Sequence, residues 1–173
     1  MVEPRALVAL AVAVLVLAGC SARPGVAAVV DGETISEAAL AETVHDFRVF
    51  SDAPPGSVLQ ALVVSPFWIE AAAEAGLGTS TQEGLARLES LAAETGVDAE
   101  RAEFGPGLVS IARVIVAQQK AIEAGVAAQL AADADQLVRE AEIEVSPRYG
   151  EWSQEGLVAT SPPWLLAQPG ESQ

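Results

Sequence analysis

Hydrophobic and polar positions change their spacing several times along the chain, and each change marks an expected element. Val26 to Val30 is a short β-prone apolar run, closed by Asp31-Gly32, a dipeptide suited to a tight turn with positive φ. Ser36 can cap a following helix and Glu37 favours its positive end. Beyond them Leu40, Val44 and Phe47 share one helical face, until Pro54-Pro55-Gly56 break the pattern. A second helical stretch covers residues 57–78. Pro66 in its middle predicts a kink or two short helices, and Gly76 and Gly78 end it. The pattern restarts with Thr81 as cap and Leu85, Leu88 and Leu91 on one face, and stops at Gly96. Residues 97–107 read as a short helix or turn anchored by Phe104.

The longest expected helix runs from about Leu108 to about Ala132, with Leu108, Ile111, Ile115, Ile122 and Val126 as its apolar stripe. Gly125 weakens that helix by ~1 kcal/mol, so its far end is expected to fray. A shorter helix over residues 135–140 follows. Glu140, Glu142 and Glu144 then alternate with Ala141, Ile143 and Val145, the pattern of a half-buried strand, which Pro147 ends. A single strand cannot satisfy its own backbone. Val26–Val30 and Ile143–Val145 are therefore expected to pair, a small β pairing of first and last strands that joins the ends of a mainly α domain. The tail, residues 153–173, mixes aromatics with Pro, Gly and Ser without a period and is expected to be irregular and partly mobile.

One apolar run is different in kind. Residues 6–18 are apolar throughout, and a helix of that length reaches ~20 Å, short of a ~30 Å bilayer core. With Arg5 before it, the run reads as the central part of a signal peptide, residues 1–19. Its end, Leu17-Ala18-Gly19-Cys20, looks like a bacterial lipobox, and Cys20 is the only cysteine. A lone thiol outside the cell can form no internal disulfide, whereas lipidation gives it a purpose. Resemblance to lipoproteins implies a diacylglyceryl thioether on Cys20 as mature N-terminus, a linker over residues 20–25, and an anchor on the extracytoplasmic face of the cell membrane. The formal net charge of −15 repels both nucleic acid and anionic headgroups, so the lipid alone would hold the protein at a membrane. The absence of asparagine, with one lysine against eight arginines and much Ala, Gly and Val, fits a GC-rich genome.

Little in the chain suggests catalysis. His45 is the only histidine and lies about 100° around the helix from the Leu40/Val44 stripe, which predicts exposure. A histidine-based zinc site needs partners that a sequence with one His and one Cys lacks. Asp133, Asp135 and Glu144 match three positions of a calcium loop, but Leu137 and Val138 stand where an oxygen ligand and glycine are needed. No nucleophile elbow, P-loop or dinucleotide fingerprint is present. These readings predict neither an enzyme nor a bound metal or cofactor.

Residues 27–42, AAVVDGETISEAALAE, resemble the N-terminal module of SurA- and PrsA-type foldases, which opens with a strand, a turn and a capped helix. Val30-Asp31-Gly32-Glu33-Thr34-Ile35-Ser36-Glu37 fits that motif position by position. Residues 58–80 are similar to the family's second helix, although Val64 stands where a charged residue is usual, and residues 143–152 resemble its return strand. The resemblance spans roughly residues 26–152. It implies a SurA N-terminal-like helical domain that binds unfolded or exported polypeptides without cofactor. The prolyl-isomerase domain expected after the return strand has no counterpart in the residues that follow Pro147, so no isomerase activity is expected. In such a module Phe47, Phe50, Phe67 and Trp68 would line a client groove, the alternative for each being plain core packing. The alternative function is a structural or assembly lipoprotein for one envelope partner.

Substituting Cys20→Ser should release the protein from membranes or leave its precursor uncleaved, whereas intact mass of the natural product should show acylation at its first residue. A soluble, unmodified product beginning after Ala22 would contradict the lipobox.

Overall fold

The computed structural model describes residues 23–96 and 104–159; the expected signal peptide, the lipobox residues Leu17, Ala18, Gly19 and Cys20, and the tail from residue 160 lie outside them. Strand β1 (Val26–Val30) turns through Asp31 and Gly32, with φ of 48° and 83°, into β2 (Glu33–Ser36). Two consecutive positive φ values give the tight turn whose twist matches paired strands. The sequence pattern predicts no strand after this turn. Residues 33–36 nevertheless fold back on β1, with Val30 opposite Glu33 and Ala28 opposite Ile35. Ser36 ends the strand and caps α1 (Glu37–Phe47), its hydroxyl accepting from the Ala39 N–H at 3.0 Å.

Helix α2 (Pro55–Glu74) is one continuous helix through Pro66, so of the two expected outcomes it is not split into two short helices. The proline ring lies on the exposed side. The neighbouring Ser65 hydroxyl donates to the Ala61 carbonyl at 2.6 Å, adding a bond in the turn where Pro66 supplies no N–H. By length and composition α2 could cross a membrane, but Val58, Leu59, Val63, Phe67, Ala71 and Ala72 are buried within the protein. A helix apolar on several sides is what a central position requires, and α2 packs on α1, α4, α5, β1 and β5.

Helix α3 (Thr81–Thr95) is capped by Ser80, one residue before the expected Thr81. Ser80 and Glu83 form a reciprocal capping box, and Lys120 Nζ meets the same carboxylate at 2.6 Å. These donors hold the half-exposed Glu83 carboxyl at a pKa of about 2; the Lys120 ammonium is the largest cause. Lys120 also donates to the Gly78 carbonyl, and Arg113 grips the Thr79 carbonyl twice, at 2.6 and 3.1 Å. The loop between α2 and α3 is thus pinned from the side by α4 (Pro106–Glu123).

The single long helix expected over residues 108–132 is in fact two. Gly125, at φ 73°, stops α4, with its N–H donating to Ile122 and the Val126 N–H to Ala121. Both bonds together make the left-handed cap in which glycine escapes the Cβ clash, and α5 (Ala127–Glu140) restarts two residues later. The expected stripe changes with it. Leu108 is buried, but Ile122 is 68% exposed and Val126 39%, while Ala112, Ala117 and Ala121 are fully buried.

Strand β3 (Ile143–Val145) pairs antiparallel with β1 as expected, Val30 opposite Ile143 and Ala28 opposite Val145. It is not the last strand. A hairpin of β4 (Glu151–Ser153) and β5 (Gly156–Val158) continues past the expected domain end at residue 152, so residues 153–159 are ordered. Gly150, at φ 133°, lets the chain pass so close to the Val158 carbonyl that a Cβ there would overlap it. The described part is mainly helical, with five helices, a three-stranded sheet of order β2-β1-β3 and a separate hairpin.

The β1–β3 ladder yields a sharp test. Backbone hydrogen bonds run from the Asp31 N–H to the Glu142 carbonyl and from the Ser146 N–H to the Ala27 carbonyl, so two-residue alternation makes Val29/Glu144 the hydrogen-bonded pair between them. Glu144→Pro should therefore destabilise the protein by about 2–4 kcal/mol, although the side chain is exposed. Glu144→Ala should stay within about 0.5 kcal/mol of the parent. Denaturant unfolding of both variants checks the pairing.

Candidate functional site

A cleft of about 750 Å³ opens between α1, the start of α2 and the turn after β3. Helix α1 supplies a whole face: Glu37, Leu40, Ala41, Val44, His45 and Arg48 recur at spacings of three and four. Leu40 and Val44 are buried and form the floor, with Ala41 above them. Pro54, Pro55 and Gly56 make the facing wall; Pro55 opens α2, where a missing N–H breaks no helical bond. Arg148, Tyr149 and Ala159 close the third side.

The wall carrying Tyr149 is tied to α1 across more than 110 residues of sequence. The Tyr149 hydroxyl donates to Glu37 Oε2 at 2.7 Å, and Arg148 Nη1 meets the same oxygen at 3.1 Å. The Arg148 guanidinium also lies 5.7 Å from the centre of the Tyr149 ring. Burial first, and then the carboxylate beside it, push the Tyr149 phenol above its ordinary pKa of 10.0. At the other end Arg48 makes a distant ion pair, 4.0 Å to Asp52, and both side chains are largely exposed.

Charge sets this cleft apart. Its rim carries the guanidinium groups of Arg48 and Arg148 against the single carboxylate of Glu37, in a chain of net charge −15. An apolar floor with a cationic rim suits an extended segment that brings apolar side chains and negative charge. The lining joins this apolar floor to the polar groups of Glu37, His45, Arg48, Arg148 and Tyr149.

The four aromatics singled out in sequence are not brought to this cleft, nor to any common groove. Phe67 is 6% exposed and belongs to the cluster of Leu40, Val44, Leu59 and Val63. Trp68 packs on a second cluster, built largely of alanines from α2, α4 and α5. Phe47 and Phe50 cover a third, with Leu88, Leu108 and Val109, where Phe50 stacks on Phe104 with ring centres 5.8 Å apart. His45 is exposed as expected, but at the edge of the cleft face. Sequence reading assigned no role to Arg48, Arg148 or Tyr149. Extending the α1 face by one more turn from Val44 would have reached Arg48.

Tyr149 is the sole tyrosine, so tyrosinate absorbance reports on it alone. Its midpoint should lie above 10, and Glu37→Gln should lower it while burial keeps it above the free value. The raised value means that stability from the neutral phenol is present below the unfolded pKa and lost as pH climbs through the folded one. A midpoint indifferent to Glu37→Gln would break the proposed contact. Compared with known proteins, the chain matches no family model, no curated protein and no solved structure.

Proposed function

We propose that this protein is a lipid-anchored, extracytoplasmic binding module that holds unfolded or exported polypeptide segments, in the manner of a SurA N-terminal-type chaperone domain. The cleft is the observation that carries the reading. Leu40, Ala41 and Val44 offer apolar contact to a segment that has lost its own core, and Arg48 and Arg148 offer charge at its border. Such a site needs neither nucleotide nor metal, because burial of apolar surface supplies the free energy of binding. The strand–turn–capped helix over residues 26–47, with a return strand at Ile143–Val145, is consistent with the resemblance read from the sequence. The Cys20 lipid would hold this body at the membrane, and its net charge of −15 would keep it off anionic headgroups.

A holdase of this kind should suppress aggregation of several unrelated denatured proteins, and Ala41→Glu, which puts a charge on the exposed edge of the floor, should weaken that protection several-fold. Light scattering of diluted denatured clients measures both. Protection of none of them would sink the chaperone reading and favour an assembly lipoprotein with one dedicated partner.

A further inference from the structure

We infer that the cleft's resident occupant is the chain's own C-terminal segment, residues 162–166, which an exported polypeptide must displace. The inference rests on reading the cleft as a polypeptide site, and it assigns that site a built-in regulator.

Hairpin β4–β5 carries the backbone back along α2 and ends at Val158, and the next residue, Ala159, itself lines the cleft. The segment that follows therefore begins at the cleft. Trp164 is five residues on, a reach of up to about 17 Å for extended chain, enough to run along a cleft of about 750 Å³.

The chemistry of the two sides matches. Pro162 and Pro163 stiffen the approach and limit the entropy lost on docking. Trp164, Leu165 and Leu166 are consecutive bulky apolar residues in a stretch otherwise rich in Pro, Ser and Gly, and the floor of Leu40, Ala41 and Val44 is apolar. Glu171 brings the negative charge that Arg48 and Arg148 suit. A tether of a few residues gives the segment an effective concentration on the order of millimolar, so even weak intrinsic affinity keeps the site filled.

The test uses the full chain and a fluorescein-labelled synthetic peptide of residues 160–173. A variant combining Trp164→Ser, Leu165→Ser and Leu166→Ser empties the site. It should bind the peptide at least tenfold more tightly than the parent chain, by fluorescence anisotropy. Adding Ala41→Glu or, should that variant fold poorly by circular dichroism, Arg48→Glu should remove the gain. Equal binding to parent and variant, no binding to either, or binding indifferent to the cleft substitutions each overturns the inference. A parent dimer in sedimentation that the triple variant dissolves would place the segment in a second copy and overturn the intramolecular form. Peptide binding as expected without client protection leaves the occupant assigned and the chaperone reading lost. Client protection without the expected peptide binding does the reverse.

Discussion

Pairing of β1 with β3 is the constraint from which the site follows. These strands are separated by more than 110 residues, and their register sets Ala28 against Val145 and Val30 against Ile143. Asp31 extends the ladder beyond the strands: its N–H donates to Glu142, and its carboxylate receives the Glu142 N–H at 2.8 Å. Because β2 leads into α1 on one side of β1, and β3 leads into Arg148 and Tyr149 on the other, the sheet brings α1 and that turn together. Glu37 then accepts both the Tyr149 hydroxyl and Arg148, fixing the cleft's third wall against its first. Loss of the ladder would leave α1 with an exposed face and no opposing wall.

The helices around α2 are joined by two different means. Around the first cluster, branched and aromatic side chains such as Leu59, Val63 and Phe67 fill the space beneath the sheet. In the second, Ala71, Ala72, Ala117, Ala121 and Ala134 meet with Leu130, so backbones come close and few rotamers are frozen. A glycine continues this logic between α3 and α4: a Cβ on Gly84 would stand 2.9 Å from the Val109 carbonyl oxygen. Polar groups then set the register that small side chains leave loose. Arg113 on Thr79, Lys120 on Gly78 and Glu83, and Asp46 accepting the Gly105 N–H at 2.8 Å each tie one element to the next.

Much of this architecture was legible in the sequence, and the misses have physical causes. Val26–Val30 and Ile143–Val145 stood out because each alternates or runs apolar between turn residues, and neither had another partner. Strand Glu33–Ser36 did not, since its residues are mostly polar, Glu33 and Thr34 are exposed, and its pairing comes from the turn before it. The apolar stripe beyond Leu108 was followed through Ile115 to Ile122 and Val126, when the buried face passes through Ala112, Ala117 and Ala121. Alanine contributes little hydrophobic signal yet fits where helices touch. Gly125 was read as a weak point inside one helix, because its role as a cap depends on a positive φ that composition alone does not reveal. The cleft was hidden for another reason. Aromatics drew attention to Phe47, Phe50, Phe67 and Trp68, which pack with three separate clusters, while the cleft is lined by aliphatics, prolines and two arginines.

The distance between β1 and β3 also imposes an order of events on a chain made from its N-terminus. At about 5–20 residues per second, roughly 6–23 s separate the appearance of Val30 from that of Ile143. During that interval one edge of the β1–β2 hairpin has no strand to receive, and α1 has no opposite wall. The nascent molecule therefore carries an open strand edge and an uncovered apolar helix face, the same features that invite association with other chains. A protein built this way carries both surfaces uncovered until Ile143–Val145 has been made.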